Sequence, residues 1–119
     1  MTFDDWTDPE INKAVAVLEG LSIDNGYGFI DTDENLVCYY IVKPVNGEAV
    51  RVNFCKNPSD SWPIILENKI SIEFRCHKSL DPIAKRFGSN SHNVVDPNPL
   101  RAAMIVYLMM KGVKPEDKP

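Results

Sequence analysis

Two histidines, three cysteines, an acidic turn, an aromatic strand and one oddly placed arginine are where this 119-residue sequence could do chemistry. His77 and His92 are its only imidazoles. Acyl or phosphoryl transfer needs a nucleophile, a base and an orienting acid within mutual reach, and neither histidine has such company at a recognisable spacing. Phosphate-cradling glycine loops, dinucleotide fingerprints and the paired histidines of a zinc peptidase are also missing. The pattern weighs against an enzyme, so no catalytic residue and no cofactor is assigned. Cys38, Cys55 and Cys76 are odd in number and lack the close pairing of a zinc knuckle or redox pair, which points to reduced thiols in a reducing compartment. A zinc site would have to gather Cys55, Cys76, His77 and His92. Adjacent Cys76 and His77 make an awkward ligand pair, so buried, inert cysteines are expected instead, and no metal. Asp31, Asp33 and Glu34 form an acidic turn without the glycine and terminal glutamate of a calcium loop, so it reads as solvated.

Aromatic residues offer a second chemistry. Asn25-Gly26-Tyr27-Gly28-Phe29-Ile30 looks like the base-stacking strand of small RNA-binding domains, with Tyr39 or Tyr40 on a neighbouring strand as further platforms. Asp24 and Asn25 stand where a basic residue would lead that strand, and Thr32 replaces its later aromatic. The competing reading is a glycine-kinked strand whose aromatics join the core. A net charge of −4 and an isoelectric point near 5.1 also count against a phosphate-binding surface. Single-stranded nucleic-acid binding through Tyr27, Phe29 and Tyr39 or Tyr40 therefore stands as the alternative function, behind protein binding, with a small enzyme of unidentified type third.

The arginine is Arg101, in the first turn of a helix, where the helix dipole disfavours a cation by several tenths of a kcal/mol. Either a carboxylate such as Asp60, Glu67 or Glu73 offsets that cost, or the guanidinium binds an anion in a cleft. With Arg101, the residues Asn57, Asp60 and Trp62 complete the candidate binding set. Their structural reading is helix caps, a packed indole and a paired cation.

These residues depend on elements announced by local signals. Thr7 and Glu10 have the spacing of a capping box, Trp6 and Ile11 that of a hydrophobic staple, and Ile11, Ala14, Val15 and Leu18 fall on one helical face that Gly20 can close. Asn12, Lys13 and Glu19 are expected to face water. Tyr27–Ile30, Leu36–Val42 and the alternating Val50, Val52 and Phe54 read as strands, the last two joined by an Asn46-Gly47 turn. Asn57-Pro58 caps a short helix over Ser59–Glu67 that should bury Trp62, Ile65 and Leu66, although Pro63 interrupts its hydrogen bonding. Ile70, Ile72 and Phe74 alternate as a fourth strand. Asp81-Pro82 reads as the cap of one or two helical turns ending at Gly88, and Ser89–Asp96 as a loop. Asn98-Pro99 opens a last helix that Gly112 stops.

The whole is expected to be α+β, with about four antiparallel strands and three or so helices packed mainly on one face. Residues 1–112 form the single domain and 113–119 a flexible charged tail. The longest apolar run, Ala102–Met110, is about half of what a membrane span needs, so no membrane partner is expected. That helix is apolar on every side, and such helices are normally enclosed. Three readings are open: complete burial within one chain, a homodimer through the C-terminal helix or the adjacent sheet face, or a ligand groove.

Cys55–Ile72 and Asn98–Met110 resemble the two signature blocks of the NinX-like family, small proteins encoded by lambdoid phages and prophages, and Glu10–Val17 is similar to its opening helix. Gly20–Phe54 departs from the pattern. The resemblance implies expression in the cytoplasm of a bacterial host and an accessory role in the phage programme. It brings no biochemical activity and no catalytic residues with it. The function expected is that of a non-catalytic protein-binding module whose host or phage partner the sequence does not name.

Overall fold

A computed structural model describes residues 2–20, 29–31, 37–42, 49–75, 80–86 and 92–118, with 29–31, 37–42 and 49–51 described by backbone alone. Helix α1, Asp8–Leu18, begins at the expected capping box: the Thr7 hydroxyl accepts from the Glu10 amide at 3.4 Å, and the Glu10 carboxylate accepts from the Thr7 amide at 2.8 Å. Gly20, at φ +77, closes it in the left-handed conformation that glycine adopts without cost. Trp6 and Ile11 are buried together as the staple requires.

Two antiparallel three-strand meanders follow. The first comprises β1 (Phe29–Asp31), β2 (Val37–Val42) and β3 (Ala49–Val52), with β2 in the centre. Its β2–β3 register runs from Tyr39↔Val52 to Val42↔Ala49. The expected Asn46-Gly47 turn, with Tyr27, Asp33, Glu34, Cys76 and His77, lies outside the described residues. Helix α2, Pro58–Glu67, then leads through a two-residue turn into the second meander, β4 (Ile70–Glu73), β5 (Ile83–Arg86) and β6 (Asn93–Val95). The class is α+β as expected, but each sheet has three strands rather than four.

β5 and β6 replace the expected helical turns and loop. Asp81-Pro82 is a local helix-start signal, yet four residues after it pair with β4 from Ile70↔Arg86 to Glu73↔Ile83. Bonds from the Arg86 amide to the His92 carbonyl and from the Asp96 amide to the Pro82 carbonyl extend the β5–β6 hairpin at both ends. Non-local pairing overrides a weak local preference here.

Helix α3, Pro99–Met110, lies at the centre of the molecule. It packs on all three strands of the second sheet and against α1 and α2, while α1 also packs on β2. Every residue from Ala102 to Leu108 is 2% exposed or less. Residues 102–108 are thereby enclosed by the chain itself, while Leu100, Met109 and Met110 are partly exposed. Gly112, at φ +83, and a bond from the Val113 amide to the Leu108 carbonyl at 3.0 Å end it.

Residues beyond Gly112 also carry structure. Val113 packs against the core, the Pro115 carbonyl accepts from the Trp6 indole at 2.9 Å, and the Lys118 ammonium lies 3.5 Å from Glu10. The two ends of the chain are thereby joined.

Candidate functional site

The candidate residues separate into two places. The first is a polar joint where the starts of all three helices meet. Asn98 caps α3 by accepting from the Leu100 and Arg101 amides at 3.0 and 3.3 Å, and its own amide donates to the Cys55 carbonyl at 2.7 Å. That fixes Arg101 facing α1. Its Nη1 donates to Asp8 at 2.7 Å, its Nε to Asp96 at 3.1 Å, and its Nη2 to the carbonyls of Trp6 at 2.6 Å and Phe3 at 3.3 Å. The carboxylates are therefore Asp8 and Asp96, not the expected Asp60, Glu67 or Glu73. Asp8 is 93 positions away along the chain, a distance over which spacing carries no signal.

Burial alone would weaken the charge of Arg101. The hydrogen bond and charge of Asp8, with the charge of Asp96, outweigh it and hold the guanidinium above its ordinary pKa. All three guanidinium nitrogens are engaged with protein, which leaves no fork for an external anion.

Asn57 and Asp60 serve the same joint. Asn57 caps α2 by accepting from the Ser59 amide at 3.1 Å, and Asp60 accepts from the Asn53 amide at 2.9 Å. Asn12, expected to face water, is fully buried and grips the same segment, donating to the Asn53 side chain and accepting from the Cys55 amide, both at 3.1 Å. The reason is geometric: residues 53–55, at the start of the turn into α2, are buried, and a buried amide or carbonyl must find a partner. Cys55 is enclosed there, and burial pushes its thiol well above the ordinary range, the condition of an unreactive cysteine. Among the described residues no three histidine, cysteine, aspartate or glutamate side chains converge on a metal-sized site.

The second place is an apolar groove between α2 and β4. Its position follows from a correction to the expected face of α2. Ser61, Ile64 and Ile65 point inward at 0%, 2% and 3% exposure, whereas Trp62 and Leu66 stand out at 52% and 58%. Asp60 holding Asn53, and the Ser61 hydroxyl donating to the Asn57 carbonyl at 3.4 Å, rotate the helix one position from the face that hydrophobicity alone selects. Pro63 is tolerated because it and Ser59, whose carbonyl loses a donor, both lie on the solvent side.

Trp62 and Leu66 from α2, Ile70, Ile72 and Phe74 from β4, and Leu100 from α3 line a groove of about 590 Å³. Phe74, one residue past β4, is 71% exposed. Lys69 is the charged residue of the lining, and it sits at φ +53, a left-handed position where glycine is the usual occupant. The signal for this groove was present in the sequence: α2 has more apolar residues than one face can hold, and Phe74 continues the alternation of Ile70 and Ile72 beyond the strand.

Of the alternative nucleic-acid set, Tyr27 lies outside the described residues. Phe29 and Tyr39 are register partners in β1–β2, and Tyr40 pairs with Arg51.

Fold and site together define an α+β domain whose candidate polar residues form a structural joint and whose open surface is an apolar groove. No helix among the described residues is long and apolar enough to cross a membrane. The chain belongs to the family described as bacteriophage P22 NinX, whose model matches residues 3–111. The match includes the stretch 20–54 as well as 55–72 and 98–110, the two blocks that build the joint, the groove and α3. No curated protein and no solved structure matches the chain.

Proposed function

We propose that this bacteriophage accessory protein is a non-catalytic protein-binding module whose contact face is the α2–β4 groove. The observation that carries the reading is the joint exposure of Trp62, Leu66 and Phe74 around one concavity. Large side chains scattered singly over a surface need no explanation, but a contiguous apolar patch with aromatic anchors is the composition of a binding hot spot. Two further features favour protein over nucleic acid as the occupant: the groove is almost wholly apolar, and the chain carries a net charge of −4. The compartment proposed is the host cytoplasm, which suits the enclosed, unpaired thiol of Cys55.

Photocross-linking tests the reading. A photoreactive phenylalanine analogue placed at Leu66, in the chain produced in a bacterial host during phage development, is expected to give protein adducts that survive nuclease treatment. Adducts lost with nuclease would favour the aromatic strand of Tyr27, Phe29 and Tyr39 or Tyr40. No adducts at all would remove the groove as a docking face.

A further inference from the structure

We propose, on the protein-binding reading of the groove, that its occupant is the extended C-terminal end of a partner protein. It adds to β4 as an antiparallel strand and sets its terminal carboxylate at Lys69.

A strand edge lies open beside the groove. β5 pairs with one side of β4, and among the described residues no backbone group pairs with the other. Exposed amides and carbonyls along such an edge are a template for a further strand. A helix laid in the groove would fill the apolar surface and leave that edge unused, whereas an extended chain satisfies both.

The apolar surface is placed for the side chains of such a strand. Ile70 and Ile72 of β4, with Phe74 just beyond it, line one side of the groove, and Trp62 and Leu66 of α2 line the other. A strand added in the plane of the sheet sends every second side chain toward the face of Ile70 and Ile72, beneath Trp62 and Leu66. Its remaining side chains join the face of Ser71 and Glu73, which are both exposed. The ligand is therefore apolar at alternate positions and polar between them.

The groove has a closed end, and a cation stands there. Only Asn68 and Lys69 separate α2 from β4, so a groove between the two elements ends at that link. Lys69 is the charged residue of the lining, and among the described residues its ammonium has no hydrogen-bond or ion-pair partner. β4 runs away from Lys69, so an antiparallel strand runs toward it. A chain terminus can stop at the closed end, where a continuing chain would have to turn out of the groove. Its carboxylate then supplies the counter-charge that Lys69 lacks. The chain's own C-terminal segment is a different kind of end. It carries Lys114, Glu116, Asp117 and Lys118, and it is held at Trp6 and Glu10.

The probe is a set of synthetic hexapeptides with an N-terminal fluorophore. Val, Ile, Leu or Phe occupies the last, third-last and fifth-last positions, with Ser or Thr between them. Fluorescence anisotropy with the full chain should show binding on the order of 10 μM for the best of the set. Amidating the terminal carboxyl should weaken it about tenfold. Lys69→Met should weaken the free acid by about the same factor and leave the amide unchanged. Methylating one alternate set of peptide amides should abolish binding, and methylating the other should not, because only every second amide of a strand points at a given neighbour. No peptide bound, acid and amide bound equally, or binding that survives both methylations overturns the proposal. If no peptide binds while the photoreactive analogue at Leu66 still captures proteins, the added strand is lost and the docking face is kept. If neither peptides nor proteins are captured, both are lost.

Discussion

Arg101 is a cation at the positive end of a helix, and two carboxylates and two carbonyls offset that position. Its side chain is 13% exposed, and those of Asp8 and Asp96 are 21% and 14%, so the charges meet with little water between them. Arg101→Met would leave two half-buried carboxylates facing each other without a counter-ion. The expected cost is about 3 kcal/mol, read as a lower urea midpoint with an unchanged slope. A second residue-scale expectation concerns high pH. Burial pushes the Cys55 thiol up, and burial followed by the hydrogen bond and charge of Glu19 pushes the Tyr107 phenol up. Both groups stay protonated in the folded chain, whereas the unfolded chain releases their protons above about pH 9 to 10. Stability contributed by a raised acid is present below the unfolded value and is lost as the pH climbs. Urea midpoints should therefore fall above about pH 9, and Tyr107→Phe should flatten the part of that fall beginning near pH 10. Of the residues singled out in the sequence, Arg101, Asn57 and Asp60 could be flagged as structural from local rules alone: a misplaced charge, a cap before proline, an acid in a first turn. Their partners could not, because Asp8 and Asn53 are brought to them by tertiary packing.

At the scale of elements, the helix ends are where local chemistry speaks most clearly. Thr7 with Glu10, Asn57 and Asn98 each cap the helix they were expected to cap, and Gly20 and Gly112 close theirs in left-handed conformations. The end of α2 departs from that pattern. Lys69 occupies the left-handed position, and a residue with a Cβ is strained there by roughly 1–2 kcal/mol. Lys69→Gly should relieve that strain, partly offset by the greater freedom of glycine in the unfolded chain, for a net gain of about 0.5–1 kcal/mol. The midpoint of thermal unfolding should thus move upward. If stability does not rise, the strain is absorbed elsewhere. The short strands β5 and β6 were not legible because Ile83–Arg86 and Asn93–Val95 carry too few alternating apolar residues to declare themselves. They exist because β4 offers an edge and α3 offers a surface, and neither is a property of those seven residues.

The whole molecule is organised around α3, which touches all three strands of the second sheet and both other helices, while α1 reaches from α3 to β2 of the first sheet. The second sheet and the other two helices therefore share α3 as their common support. Removing buried volume from α3 should therefore destabilise the second sheet and the three helices together. Leu108, fully buried near its C-terminal end, is a suitable probe. Leu108→Ala is expected to cost about 2–5 kcal/mol through lost contacts and a residual cavity. The two tryptophans make cooperativity measurable, because Trp6 is 2% exposed and Trp62 is 52% exposed. With Trp62→Phe as background, the fluorescence of Trp6 reports the region where the N- and C-terminal segments join, and far-ultraviolet dichroism reports all helices and strands. In both the background chain and the Leu108→Ala variant, the two signals should trace one transition in urea, shifted as a unit. Separate midpoints, with Trp6 retained after the dichroism is lost or lost before it, would mean that α3 is not the common support of the helices and the second sheet.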